Sequence, residues 1–403
     1  MADREQLKER VCAEVDRLAP QLIDASHQIH ARPEVQFEEH HACEVLCALA
    51  RGEGLDPAQP AHGMETAFAV EAGGDGPVVG ICCEYDALPG IGHACGHNII
   101  GAAGLGAGLA AARVAADAGG RVRILGTPAE EGGGGKIRMA VNGAFDGLFA
   151  ALMVHPAGAD LPAMDVIAVA QVEVDYHGLA AHASAAPERG RNALDAAVLG
   201  YMGVAALRQH IGERERIHGV ITDGGAVPNV VPERASSHWL IRSPTLTDLG
   251  PLKERVMACL EAGAAAAGCR IEVRWHDVTY ADMRSNGPLL GAYAANSKRL
   301  GRALADPTSE ATPRVSGSTD MANVSHLVPS IHPMIAAGPP EAQLHTVDFA
   351  RHARSSTGDR AVVDGAKLLA LTAIDVWVDE NLRQSVRADF EASGGRAASV
   401  PGI

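Results

Sequence analysis

Aromatic side chains are scarce in this chain: 3 Trp, 5 Tyr and 6 Phe make up 3% of 403 residues. Basic residues are outnumbered, 34 Lys and Arg against 49 Asp and Glu, for a net charge of −15 with His neutral. A surface of that sign repels phosphate backbones, so a nucleic-acid partner is not expected. No stretch near 20 residues is apolar without a Gly or a charge inside it, so no membrane contact through a span is expected. The opening MADREQLKERV is charged and lacks the apolar segment of a secretory signal. The 8 Cys form no regular framework, Cys82 and Cys83 being adjacent, and read as reduced thiols of a cytoplasmic protein. What the chain does have is apolar residues, 47%, ample for a buried core and incompatible with disorder, and 45 Gly. The length suggests two or three domains.

Helical spacing around Leu18, Leu22 and Ile29 predicts helices up to about Ala50. Short apolar runs at 77–83, 122–125 and 149–154 then read as buried strands, with an Ala/Gly-rich helix at 98–116 between the first two. Strand, helix, strand with such loops predicts a doubly wound α/β sheet. Near residue 166 the pattern changes. Half-buried alternation at Val172, Val174 and Tyr176 marks a strand over 167–176, followed by a helix at 192–210. Strands at 217–222, 235–243 and 271–277 and a helix at 250–267 complete an α+β insert with an antiparallel sheet. The α/β pattern resumes with a helix near Pro288 and a late strand at 333–337, and the small, polar residues from Ala392 onward read as a mobile tail. The expected boundaries are 1–165 and 280–403 for one discontinuous domain and 166–279 for the insert.

Three of these strands run into groups that a core would not choose. The first leads to Glu84-Tyr85-Asp86 and then His93-Ala94-Cys95-Gly96-His97-Asn98. The second leads to Glu130-Glu131 and four glycines, the third to His155. Ligands of open α/β sheets bind outside the carboxyl ends of the strands. A Cys, several His and several carboxylates converging there have the donor chemistry of a divalent metal site. Each piece alone has an ordinary reading: a satisfied core histidine, a solvated pair of glutamates, a small buried thiol, a glycine linker. Gly104, Gly106 and Gly108 fit helix packing alone. Joint placement at successive strand ends favours a site. Adjacent glutamates suit metal-assisted hydrolysis, since one carboxylate can hold the ion while its neighbour serves as general base, and the glycines would let backbone approach the metal centre.

HACGHN at 93–98, PAEEGGGG at 128–135 and MVHP at 153–156 resemble the aminoacylase/carboxypeptidase metallopeptidases (peptidase family M-twenty), in their amidohydrolase branch. AAHASAAPERGRNAL at 180–194, PNVVPERA at 228–235, GSTDMANVS at 317–325 and LHTVDF at 344–349 extend the likeness over most of the chain. CEYDALPG, GSTDMANVS and Asn98, where many members carry Asp, resemble the subgroup of β-alanyl-lysine-type dipeptidases, with the p-aminobenzoyl-glutamate hydrolases as near neighbours. The resemblance implies an α/β di-metal zinc-peptidase-like catalytic domain with an inserted α+β lid and dimerisation domain, and hence a homodimer. It implies two divalent ions, Zn or Mn and also Co, on Cys95, His97, Glu131, His155 and His345. Glu130 would be the general base, Asp86 the carboxylate that orients a ligand, and His182 the donor to the oxyanion. Asn229 and Arg242 would hold the substrate carboxylate. His93 is expected to be structural. The implied reaction is hydrolysis of the amide bond of a small N-acyl amino acid or dipeptide, not of an ester.

Two other readings compete. Cys95 could be an acyl-transfer nucleophile with a nearby histidine, which leaves Glu130-Glu131 and His345 unexplained. A catalytically degenerate scaffold or metal-binding subunit should have lost a ligand or the base, and here all are present.

Overall fold

A computed structural model of the chain describes residues 3–306 and 316–400. It divides into two units, one formed by Met1–Asp165 with Met283–Pro401 and the other by Val166–Asp282. In chain order the first segment contains α1 (Arg4–Ala31), α2 (His40–Gly52), β1 (Phe68–Gly73), β2 (Val78–Cys83), α3 (His97–Ala112), α4 (Ala115–Ala118), β3 (Arg121–Gly126), α5 (Gly135–Val141), β4 (Leu148–Leu152), β5 (His155–Ala157) and β6 (Asp165–Val166). The inserted unit contains β7 (Ala168–His177), α6 (Ala193–Leu207), β8 (Arg216–Asp223), β9 (Arg234–Ser243), α7 (Leu246–Ala266) and β10 (Arg270–Trp275). The return segment contains α8 (Gly287–Arg299), β11 (Ser316–Gly317), α9 (Met321–Ser325), β12 (Ser330–Ile331), β13 (Met334–Ala336), α10 (Val347–His352), α11 (Ser356–Val378) and α12 (Glu380–Ala392). An α/β domain interrupted by an α+β domain is therefore the architecture.

The central sheet has the order β1-β3-β2-β4-β12. All neighbours run parallel except the edge strand β1, which lies antiparallel to β3. Cys83 at the end of β2 faces Gly126 at the end of β3, and Ile81 faces Leu152 at the end of β4, so three carboxyl ends lie side by side. The sequence did not announce β1, whose outward Glu71 and terminal glycine dilute its alternation. The expected late strand is present as β13, and it lies outside this sheet. The segment that extends the sheet is β12, whereas Met334–Ala336 pairs with His155–Ala157 in a separate two-stranded ladder. Pro333 between them separates the two pairings.

One face of the sheet is covered by α3, which is buried along its whole length. Its glycines are there for contact. A Cβ on Gly104 would stand 2.8 Å from the Cys82 carbonyl oxygen, and one on Gly108 only 2.4 Å from Ile124. Leu7, Val11, Val15, Leu18, Leu22 and Ile29 form a continuous buried face of α1 at helical spacing. The tail is not loose up to residue 400. Ala397 N donates to the His326 carbonyl at 2.8 Å, and Arg396 reaches Asp146 at 2.7 Å; the last three residues lie outside the described set.

In the inserted unit the antiparallel order is β10-β7-β9-β8. Val172, Val174, Tyr176, Trp239 and Ile241 face helix residues Val204, Val256 and Leu260 in one core. Ser236, His238, Leu240 and Arg242 point to the other face. No helix among the described residues is long and apolar enough to cross a membrane.

Candidate metal centre and active site

The end of β2 delivers Asp86, the start of α3 delivers His97, and the turn after β3 delivers Glu130 and Glu131. Asp86 ties them together. One of its oxygens accepts from His97 Nδ1 at 2.9 Å and the other from the Glu131 backbone N–H at 2.9 Å. With Nδ1 engaged, His97 Nε2 points inward, fully buried and with no hydrogen-bond partner, 3.8 Å from the equally unpartnered Glu131 Oε1. His155 Nδ1 donates to the Pro156 carbonyl at 2.7 Å, which leaves Nε2 with its lone pair facing Cys95 Sγ at 3.4 Å. His345 comes from the far end of the chain, held by its backbone N–H on the Ala94 carbonyl, with Nε2 3.5 Å from Glu131 Oε2. Of four non-glycine residues with positive φ among the described residues, two are Ala129 (59°), just before the glutamate pair, and His345 (63°). Backbone strain of this kind collects where geometry is held for function.

Donor atoms of Cys95, His97 and His155 lie within 4.8 Å of one another, and so do those of Cys95, Glu131 and His345. The make-up of the set fits divalent ions: His97 Nε2 and Glu131 Oε1 without hydrogen-bond partners, beside a thiol and two further imidazoles. Charge says the same. Burial disfavours the charged form of His97, yet Cys95 and Asp86 push its proton affinity well above the usual range. His155 is pushed well below its ordinary value by burial and by His332 and His97, which keeps it a neutral ligand. Burial, then Glu84 and Glu131, push Glu130 well above the carboxylate range. Burial and Glu131 push the Cys95 thiol up as well, which disfavours the thiolate an acyl-transfer nucleophile would need without a cation beside it. The centre opens into a cavity of 540 Å³ lined also by Met164, Thr319, Gln343 and Leu344. A larger hollow of 760 Å³ beside β8 gathers no such donor set among the described residues.

His93 is structural: Nε2 bonds the Ile29 carbonyl at 3.2 Å. Asn98 donates to Ser26 Oγ at 2.9 Å and to the Ala353 carbonyl at 3.0 Å, a pair of bonds that an aspartate could not both make. Of the four glycines, two are packed where no side chain fits. A Cβ on Gly135 would stand 1.7 Å from the Pro128 carbonyl oxygen, and one on Gly133 would meet Phe37, so they fold the loop back on itself. In the inserted unit, His182 and Asn229 are brought together through Ala183 N on the Asn229 carbonyl at 3.0 Å, both side chains being exposed. His182 Nδ1 accepts from the N–H groups of Ser184 (3.3 Å) and Ala185 (3.2 Å), so the proton sits on Nε2. Arg242 is not with them. It lies near the opposite end of β9, roughly 26 Å along the strand from Arg234.

Reading the sequence for ligands missed four groups packed into the same region: Glu39, Glu84, Lys136 and Asp320. Glu39 accepts from the N–H groups of Phe37 and Ala129 at 2.9 Å each and from Thr66 Oγ1, fixing the turn before Glu130. Burial and Asp86 push its carboxyl up to about 7. Glu84 stood inside a quoted motif, and Lys136 directly follows the glycines, but neither type is a metal-ligand signal on its own.

Nitrogen, thiolate and carboxylate donors with a further carboxylate beside them define a metal-assisted hydrolase of the α/β class. The peptidase family M20/M25/M40 model matches residues 81–375. The chain is 38% identical to the Xaa-Arg dipeptidase of Mus musculus over 97% of its own length and 93% of that protein's. It is 29% identical to one of the two p-aminobenzoyl-glutamate hydrolase polypeptides of Escherichia coli, over 94% and 93%. A Bacillus subtilis dinuclear metal-binding peptidase of the M20 family superposes with a TM-score of 0.70 at 20% identity, over 90% of this chain and 99% of that one. The chain belongs to peptidase family M20/M25/M40, and is a hydrolase of amide bonds.

Proposed function

We propose that this protein is a two-metal amidohydrolase that cleaves the amide bond of small N-acyl amino acids or dipeptides. The observation that carries the reading is the convergence of unpartnered His97 Nε2 and Glu131 Oε1 on Cys95, His155 and His345, with Glu130 next to them. Cys95 belongs to both donor triads, and with His97, Glu131, His155 and His345 it would hold the ions. Thiolate favours Zn²⁺, while the carboxylates also accept Mn²⁺ or Co²⁺. Divalent ions held there supply polarisation of the scissile carbonyl and a more acidic attacking water. Glu130 takes the proton of that water at its carboxylate and hands it to the leaving amine nitrogen. Asp86 keeps His97 Nε2 aimed inward. His182, with its proton on Nε2, donates to the oxyanion from the same chain or from a second copy. Asn229 beside it suits the substrate carboxylate; the separation of Arg242 along β9 gives it no part in that grip.

A cationic C-terminal residue is the first substrate to try, given the net charge of −15 and the dipeptidase relatives. A homodimer through the inserted unit is supported by the edge strand β8, whose exposed Val220 and Ile221 accompany exposed Val198, Leu199 and Met202 on α6. Free thiols at all eight cysteines suit a cytoplasmic location. The test is a hydrolysis screen of metal-loaded protein on N-acetyl amino acids, β-alanyl and γ-aminobutyryl dipeptides, Xaa-Arg and Xaa-Lys dipeptides and p-aminobenzoyl-glutamate. Glu130→Gln should lower kcat at least about 10³-fold with its metal content intact. Silence on every amide with metals bound would favour the degenerate metal-binding scaffold.

A further inference from the structure

Behind the ligands lies a second group of acids, of which the mechanism above uses only Glu130. Carboxylate oxygens of Glu84, Glu130 and Asp320 lie within 4.8 Å of one another, all buried. Spacing of this kind is what a cation site offers, and the cation is already present as a side chain. Lys136, fully buried, places Nζ on Glu84 Oε1 and, at 2.6 Å, on Asp320 Oδ1. Its own backbone N–H donates to Asp320 Oδ2 at 2.8 Å, so the ammonium and the chain that carries it are fixed by the same carboxylate. Glu84 Oε2 has no partner and faces His97 Nε2 at 3.6 Å. The cage therefore abuts the ligand set directly.

We propose that Lys136 is a built-in cation: its ammonium fills a three-carboxylate site that would otherwise take up a metal ion, and so keeps Glu130 available to carry protons. It is a positioning residue, since it acts through Glu130 and does not touch the substrate. The inference rests on Glu130 as the proton carrier. Its physical basis is charge. Three buried carboxylates repel one another, and one fixed positive charge offsets part of that without occupying all their lone pairs. A dication in the same place would bind Glu130 as a ligand and tie up the oxygen that must receive a proton. The ammonium stays charged, because Asp320, Glu84 and Glu130 outweigh the burial that disfavours it.

Equilibrium dialysis of the full chain against Mn²⁺ counts the ions held. Lys136→Ala should hold one equivalent more than the unaltered chain, displaced by methylammonium; an equal count overturns the proposal. Lys136→Met keeps the volume and drops the charge. Its kcat should fall about 100-fold while KM stays within about threefold, and methylammonium should restore kcat in Lys136→Ala only, where there is space for it. Unchanged kcat in both variants overturns the proposal. If Lys136→Ala unfolds without a cation, its melting temperature should rise with Mn²⁺ more than that of the unaltered chain, and equal rises also overturn it. An unaltered chain that hydrolyses no amide would remove the role of Glu130 instead, because ion count and melting shift are read without turnover.

Discussion

Each domain contains a knot of charge around buried carboxylates, and the two are built to opposite rules. In the inserted domain, Asp175 is 3% exposed and accepts from Ser236 Oγ, from Arg274 Nη1 and, at 3.4 Å, from Arg234 Nη2. Every charge there has its counter-charge on a neighbouring strand, and the Asp175 carboxyl is held down to about 2. In the catalytic domain, Glu84, Asp86, Glu130, Glu131 and Asp320 crowd around one lysine and one histidine pushed to hold its proton. Glu84 and Glu130 are pushed up. The first knot is complete in itself and stabilises a sheet. The second is incomplete until cations arrive, and incompleteness of that kind marks a functional site.

Removing divalent ions is the largest way to break the comparison. A chelator should abolish amide hydrolysis and lower the melting temperature of the catalytic domain, since five carboxylates then share too little positive charge. The inserted domain, whose charges pair internally, should keep its own unfolding transition. Activity that survives chelation, measured on the same preparation, would restore the cysteine-nucleophile reading and end the contrast.

Asp86→Asn should have a smaller effect. One oxygen of Asp86 serves His97 and the other the Glu131 N–H, and an asparagine can accept for only one of them. Metal affinity should fall about 10–100-fold in a Mn²⁺ titration, with kcat largely recovered at saturating metal. An unchanged affinity would mean that Glu131 and His97 are held by packing alone.

The candidate cluster was legible in the sequence because its donor groups sit near strand ends in short motifs. Cys95 and His97 are two apart, Glu131 closes the next strand, and His155 the one after. The parallel sheet that lines up those ends followed from apolar runs such as 77–83. Less legible were groups that act through space. Lys136 and Asp320 are separated by 184 positions, and only folding shows that one ammonium serves both. The glycines after Glu131 could equally serve a metal or a tight loop, and only folding shows that a side chain at Gly135 would meet Pro128 and one at Gly133 would meet Phe37. That Arg242 lies far along β9 from Asn229 was not legible, because strand alternation reveals which face a residue takes, not how far along the strand its companions lie.

The smallest effect belongs to the complete knot. Asp175 has its carboxyl lowered from an ordinary 3.8 to about 2; burial works against this, and the bonds from Ser236 and the arginines outweigh it. In the folded chain it stays ionised where the unfolded chain has already taken up a proton. Its contribution is therefore complete above about pH 4 and is lost as the pH falls toward about 2. The arginine partners are themselves 46% and 60% exposed, so water screens the attraction, and Asp175→Asn should cost only about 1–2 kcal/mol at pH 7. Two of the three tryptophans, Trp239 and Trp275, lie in this domain, so denaturant titration followed by fluorescence reports on it. The variant should be less stable at pH 7 and nearly indistinguishable from the unaltered chain near pH 2, while metal affinity and kcat stay unchanged. A loss of metal affinity instead would show that the two knots are coupled, and that the inserted domain's charges do more than hold its sheet.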